Sequence, residues 1–250
     1  MRKLKLGAIL LTVVVLGALI LQADAVPILS STLSSTFAAG SAFVAGAPTG
    51  YDPLTAQEMG AVIAAAQQAA SDAKSLVPTA QQQMAGRQEL LLVERHEADK
   101  AAYAKGSWAR QGDVYIYDYA TDTLIHTTVD VQSGAVITVE QVQGVQLPLN
   151  QREEEHALAL IQADSTLWTT LANRYQTITG KALERLDQLQ VKVSVFHADV
   201  MPDGLNAAAQ QCGQHRCAQV LLFTVDKTLL DMTPIVDLSE EKIVQVLDEE

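Results

Sequence analysis

Positive charge is scarce in this sequence. The 250 residues carry 17 Lys and Arg against 29 Asp and Glu, a net charge of −12. A chain this acidic repels nucleic acid and anionic membranes, so neither is an expected partner. Aromatic residues are few, at 5%, although a hydrophobic content of 48% is ample for a packed core. Several chemical signatures are missing outright. There is no nucleophile elbow, no phosphate loop, no dinucleotide fingerprint and no His-x-His pair. Cysteine is limited to Cys212 and Cys217, in CGQHRC. In an oxidising compartment that pair reads as a local disulfide. The alternative is a metal clip with His215, which would crowd three ligands into six residues.

The N-terminus predicts such a compartment. MRKLKLGAILLTVVVLGALILQADA combines Arg2, Lys3 and Lys5 with an apolar run from Leu6 to Leu21 and an Ala23-Asp24-Ala25 site. That is the pattern of a secretory signal peptide cleaved near Ala25, and it predicts a secreted or extracytoplasmic protein. The run, about 16 residues, falls short of the roughly 20 that a spanning helix needs. An uncleaved segment is the alternative, and the one expected route to a membrane. Residues 1–25 hold Arg2, Lys3, Lys5 and Asp24, so the remainder has 14 basic and 28 acidic residues, a net −14. Residues 26–50 are rich in Ser, Thr, Ala and Gly and carry no charge, which predicts a flexible linker.

Structure is expected from Tyr51. Thr55 and Glu58 form a helix-start signature. Met59, Val62, Ile63, Ala66 and Ala70 follow at helical spacing, and Pro78 ends the pattern. Strands are predicted at 88–95, 112–119, 123–131 and 135–142, with Asp122 and Ser133-Gly134 as turn residues. Asn150 with Glu153 opens a second helical stretch bearing Ala157, Leu158, Leu160 and Ile161. Leu167, Trp168, Leu171 and Tyr175 continue it after a break near Asp164-Ser165, and KALERLDQL (181–189) predicts a further short helix. Strands resume at 190–198, 217–226, 228–238 and 242–247.

The two halves repeat. TTVDVQSGAVITV aligns with TPIVDLSEEKIVQV, setting Val129-Asp130 against Val236-Asp237, Val136 against Ile243 and Val139 against Val246. A period of roughly 107 residues indicates a duplicated domain. With these features, YDPLTAQE at a helix start, the closing Gly144-Val145-Gln146-Leu147-Pro148 and the final TPIVDLSEEKIVQVLDEE resemble the second and third domains of copper amine oxidases. One residue more than in the family's Gly-Val-Gln-Pro precedes Pro148.

The resemblance implies an α+β fold of two tandem cystatin-like modules, each a helix with a four-stranded antiparallel sheet, at 51–148 and 149–250. In that family the chemistry lies in a separate β-sandwich. There a Tyr in an Asn-Tyr-Asp/Glu pattern becomes topaquinone, and a His-x-His pair with a distant His binds copper. The sequence ends at Glu250, about where that sandwich would begin. The expectation is therefore a non-catalytic binding or accessory module with no catalytic residue, no metal ligand and no cofactor of its own. Its expected partner is a catalytic amine oxidase subunit or another extracellular protein. The alternative is the non-catalytic part of a split copper/topaquinone primary-amine oxidase.

Tyr115, Tyr117 and Tyr119 alternate on one strand face, and Ile116 stands where the quinone motif needs Asn, so a packed strand is expected. His96, His126, His156, His197 and His215 are scattered, with no sequence signal bringing them together. Glu153, Glu154 and Glu155 suit the positive end of a helix better than acid–base chemistry. Glu140-Gln141-Val142-Gln143-Gly144 matches the Gln-x-Val-x-Gly hairpin of cystatin inhibitors except at its first residue. It falls at the exit of a last strand, not in a middle hairpin, which leaves cystatin-like inhibition as a second alternative.

Overall fold

Alternating apolar residues separated by tight turns produce two antiparallel sheets, ordered β1-β2-β3-β4 and β5-β6-β7-β8. The computed structural model describes residues 50–74, 87–106, 108–201 and 203–248. The signal segment, its cleavage site, residues 26–49 of the linker and the Pro78 helix stop lie outside the described residues.

The first sheet comprises β1 (Gln88–Arg95), β2 (Gln111–Asp118), β3 (Thr123–Asp130) and β4 (Val136–Gln143). Helix α1 (Ala56–Lys74) covers one face, and its start is the predicted capping box. The Thr55 N–H donates to Glu58 Oε2 at 2.7 Å and the Glu58 N–H to Thr55 Oγ1 at 3.3 Å. Val62, Ala66 and Ala70 are buried against Val114, Ile116, Ile125 and Val129. The helix approaches so closely that a Cβ on Gly112 would lie 3.0 Å from Leu54 and 3.2 Å from Val62. A short helix, α2 (Lys100–Lys105), interrupts the β1–β2 connection. It has no counterpart in the predicted elements.

The second sheet comprises β5 (Gln190–Phe196), β6 (Cys217–Phe223), β7 (Met232–Asp237) and β8 (Lys242–Asp248). Two helices pack on it, α3 (Gln151–Ala163) and α4 (Ser165–Thr179). Asp164 separates them, ending one helix and accepting from the Thr166 and Leu167 amides at the start of the next. The expected helix at 181–189 is corrected to a turn with one 3₁₀ segment, Leu186–Gln188. Gly180, at φ 70°, ends α4. The Gln188 side chain then takes over the local hydrogen bonds, accepting from the Glu184 amide at 2.6 Å and the Arg185 amide at 2.8 Å. Leu183 and Leu189 turn into the core.

The duplication extends to backbone irregularities. The β3–β4 ladder shifts register between Thr128 and Val129, and the β7–β8 ladder between Ile235 and Val236. Asp130 Oδ1 accepts from the Ser133 amide and Asp237 Oδ1 from the Glu240 amide, at 2.7 and 2.9 Å. The left-handed position of each turn is Gly134, φ 69°, and Glu241, φ 54°. All these pairs keep the offset of roughly 107 residues seen in the sequence.

One apolar core runs through both repeats. Tyr117, Tyr119 and Leu124 of the first join Ile161, Leu171, Leu222, Met232 and Val236 of the second. Across the second sheet, Phe196, Leu205, Ile235 and Val244 pack around the bonded Cys212–Cys217 pair, whose Cα atoms are 5.4 Å apart. No helix among the described residues is long and apolar enough to cross a membrane.

Candidate functional site

The hairpin register of β2 with β3 sets Asp113 opposite Thr128 and Tyr115 opposite His126. His96 follows β1, whose Glu94 pairs with Asp113. These placements converge on one buried carboxylate. Asp113 accepts from His96 Nδ1 at 2.9 Å, from His126 Nε2 at 3.0 Å and from Thr128 Oγ1 at 2.8 Å. Burial pushes the Asp113 carboxyl up, but hydrogen bonds from His126, Thr128 and His96 outweigh it and hold the group below the usual carboxylate range. The Tyr115 ring stacks on His126, 4.5 Å between centroids and 7° from parallel.

No motif or spacing in the sequence brings His96 and His126 together. The structure corrects that reading, and the signal was the hairpin register fixed by the turn at Asp122. The cluster borders a cleft of about 740 Å³ lined also by Tyr51, Leu54, Met59 and Arg95. With three donors on it, Asp113 orients the two imidazoles and is not a free base. Among the described residues no three His, Cys, Asp or Glu groups are arranged to hold a metal ion.

The remaining histidines stay apart from this pair. His156 Nε2 lies 3.5 Å from Glu241. His215 Nδ1 is 2.8 Å from Asp237 Oδ2, and its Nε2 is 3.9 Å from Asp122. Burial pulls the His215 pKa down, but the Asp237 hydrogen bond and charge, with Asp122 behind them, raise it overall. His197 Nδ1 sits against Gly213, beside the disulfide.

Tyr117 and Tyr119 point into the shared core, edge to face at 5.0 Å. The Tyr117 hydroxyl donates to Asp122 Oδ1 at 3.1 Å, and that of Tyr119 donates to Glu153. Burial first, then these carboxylates, raise both phenols well above their usual range. They are packing residues with fixed hydrogen bonds.

Glu153 does more than meet a helix end. It closes the capping box with Asn150 and binds the wholly buried Arg216, which sequence reasoning missed. The Arg216 guanidinium also reaches Gln146 Oε1 and the carbonyls of Leu147 and Pro148, at 3.0–3.1 Å. Those acceptors belong to the segment joining the two repeats. The network thus fixes the first sheet, the connecting segment and the second sheet to one another.

Residues 140–143 of the inhibitor-like motif lie in β4, and Gly144, at φ 72°, turns the chain toward the second repeat. A Cβ on Gly144 would meet Gln214 at 3.4 Å, and the motif lies along a strand and its exit, not at the tip of a hairpin.

No protein-family model matches the chain. No curated protein matches it in sequence. Solved structures do match it in fold. A copper-containing benzylamine oxidase from Hansenula polymorpha aligns with a TM-score of 0.50 and 14% identity, over 81% of this chain and 30% of the oxidase. An Aspergillus nidulans amine oxidase aligns over 82% of this chain and 30% of its own, with a TM-score of 0.41 and 13% identity. The chain spans less than a third of either oxidase, and what it has in common with the benzylamine oxidase is the fold of that portion.

Proposed function

We propose that this chain works by binding and not by catalysis, as a secreted accessory module that docks on a protein partner. The observation that carries the reading is the fold likeness to a 30% portion of a copper-containing benzylamine oxidase. The local chemistry supports it. Asp113 is occupied by three donors, Tyr117 and Tyr119 are buried with their hydroxyls engaged, and the sequence holds neither a His-x-His nor an Asn-Tyr pair. The basic start, apolar run and Ala23-Asp24-Ala25 site support export. The partner is a separately encoded amine oxidase catalytic subunit or another extracellular protein.

The test is affinity capture from the medium and envelope of the source cells, with the purified chain as bait, followed by an amine-oxidation assay of bait and eluate. One stoichiometric partner and no activity from the bait alone are expected. A copper-binding partner would narrow the role to the non-catalytic part of a split oxidase. Amine oxidation by the purified chain itself would overturn the proposal.

A further inference from the structure

Sheet edges invite pairing with other chains, and natural proteins guard them with charge, proline or covering side chains. Three of the four edges here have a guard. At β1, Asn150 Nδ2 donates to the Leu90 carbonyl at 2.9 Å. At β8, Asn206 Nδ2 donates to the Val244 carbonyl at 2.7 Å. Strand β5 carries Lys192 in its middle. Strand β4 has neither proline nor lysine, and its one charge is Glu140.

Every residue of β4 is exposed. Val136, Ile137, Val139 and Val142 have relative exposures of 38, 51, 40 and 40%. The strand VITVEQVQ bears a single charge, Glu140. That carboxylate lies 3.9 Å from Nδ1 of its cross-strand partner His126, with 65% of its side chain exposed. On a chain of net charge −12, this strip is where a second acidic copy can approach at least electrostatic cost.

The strand is also complementary to itself. Antiparallel pairing about Val139 sets Val139 against its own mate, Val142 against Val136, Gln141 against Ile137, and Glu140 against Thr138. Val139 meets its mate on the two-fold axis and Val136 meets Val142 on either side, while the two Glu140 carboxylates stand diagonal to each other, not directly opposite. Cross-strand pairs of this kind stabilise a sheet, whereas like charges directly opposite destabilise it.

We propose that the protein forms a symmetric dimer in which two β4 edges pair antiparallel about Val139, joining the first sheets of two copies into one eight-stranded sheet. This proposal is independent of the accessory role.

The test is the mass of the purified mature chain by light scattering and sedimentation at micromolar concentrations, with amide exchange read along β4. The expected result is twice the monomer mass with protected β4 amides. Val139→Lys places two like charges on the axis and is expected to give monomers with exposed β4 amides. Val139→Glu is expected to do the same, and mixing the two variants should restore a dimer of one Lys and one Glu chain, which misfolded protein cannot do. A monomeric wild type would overturn the proposal. Protected β4 amides in that monomer would assign the edge to another segment of the same chain. A dimer that survives both substitutions would also overturn it.

Discussion

Arg216 and Glu153 are both buried, and between them every hydrogen-bonding site of the pair is used. Glu153 Oε1 accepts from Tyr119 and Arg216, and Oε2 from the Asn150 amide and Arg216. Arg216 donates to Glu153 through Nε and Nη2, and to Gln146, Leu147 and Pro148 through the rest of its fork. A carboxylate has about four acceptor sites and a guanidinium five donors, so nothing is left unpaired. Taking one partner from such a pair leaves a buried charge, at a cost of about 3–5 kcal/mol.

Glu153→Gln and Arg216→Met are therefore each expected to destabilise the fold by about that amount in urea unfolding. Combined, they should cost less than the sum of the two. Arg216→Lys should not rescue, because an ammonium has three donors for five acceptors.

Gly134 has φ 69° with open space around its Cβ position, so substitution there meets only backbone strain. Gly134→Ala is expected to cost about 1 kcal/mol in thermal or urea unfolding, with no change in the sheet. The same left-handed position in the second repeat is Glu241, φ 54°, which bears that strain already.

The Arg110 side-chain hydrogen bond holds the Glu58 carboxyl well below its usual 4.5, at about 2, against the opposing effect of burial. A depressed acid stabilises the folded state above its unfolded pKa, and the contribution is lost as pH falls from about 4.5 towards 2. Unfolding free energy measured across that range should decline. Glu58→Gln should flatten part of the decline by removing the charge that faces Arg110, while its side-chain carbonyl can still accept from the Thr55 N–H and keep the capping box.

For His215 the sign is opposite. Its raised pKa stabilises the fold fully below the ordinary value of 6.5, and that contribution disappears as pH rises through the folded value. An NMR titration is expected to place its midpoint above 6.5. Asp237→Asn should bring that midpoint down.

Much of the fold was legible because it rests on local patterns. The Thr55–Glu58 box, the Asp164 break and the repeat joining Val129-Asp130 to Val236-Asp237 all survive into the structure. KALERLDQL misled because its leucines fit a helical period, while Gly180 and the Gln188 side chain impose a turn. Helix α2 is six residues, less than two turns, too short for an apolar period to mark it. The Asp113 cluster was within reach, since the β2–β3 register sets Asp113 beside His126 and Thr128. Arg216 was not, because its partners lie about seventy residues away and no periodicity announces a buried cation.

The central claim, a binding module without redox chemistry of its own, is tested most directly by copper binding of the purified chain with a quinone-specific stain on the same sample. The account predicts no stoichiometric copper and no quinone. Tight copper with a positive stain would contradict it, making Tyr117 or a neighbouring tyrosine a redox site and recasting His96 and His126 as metal ligands.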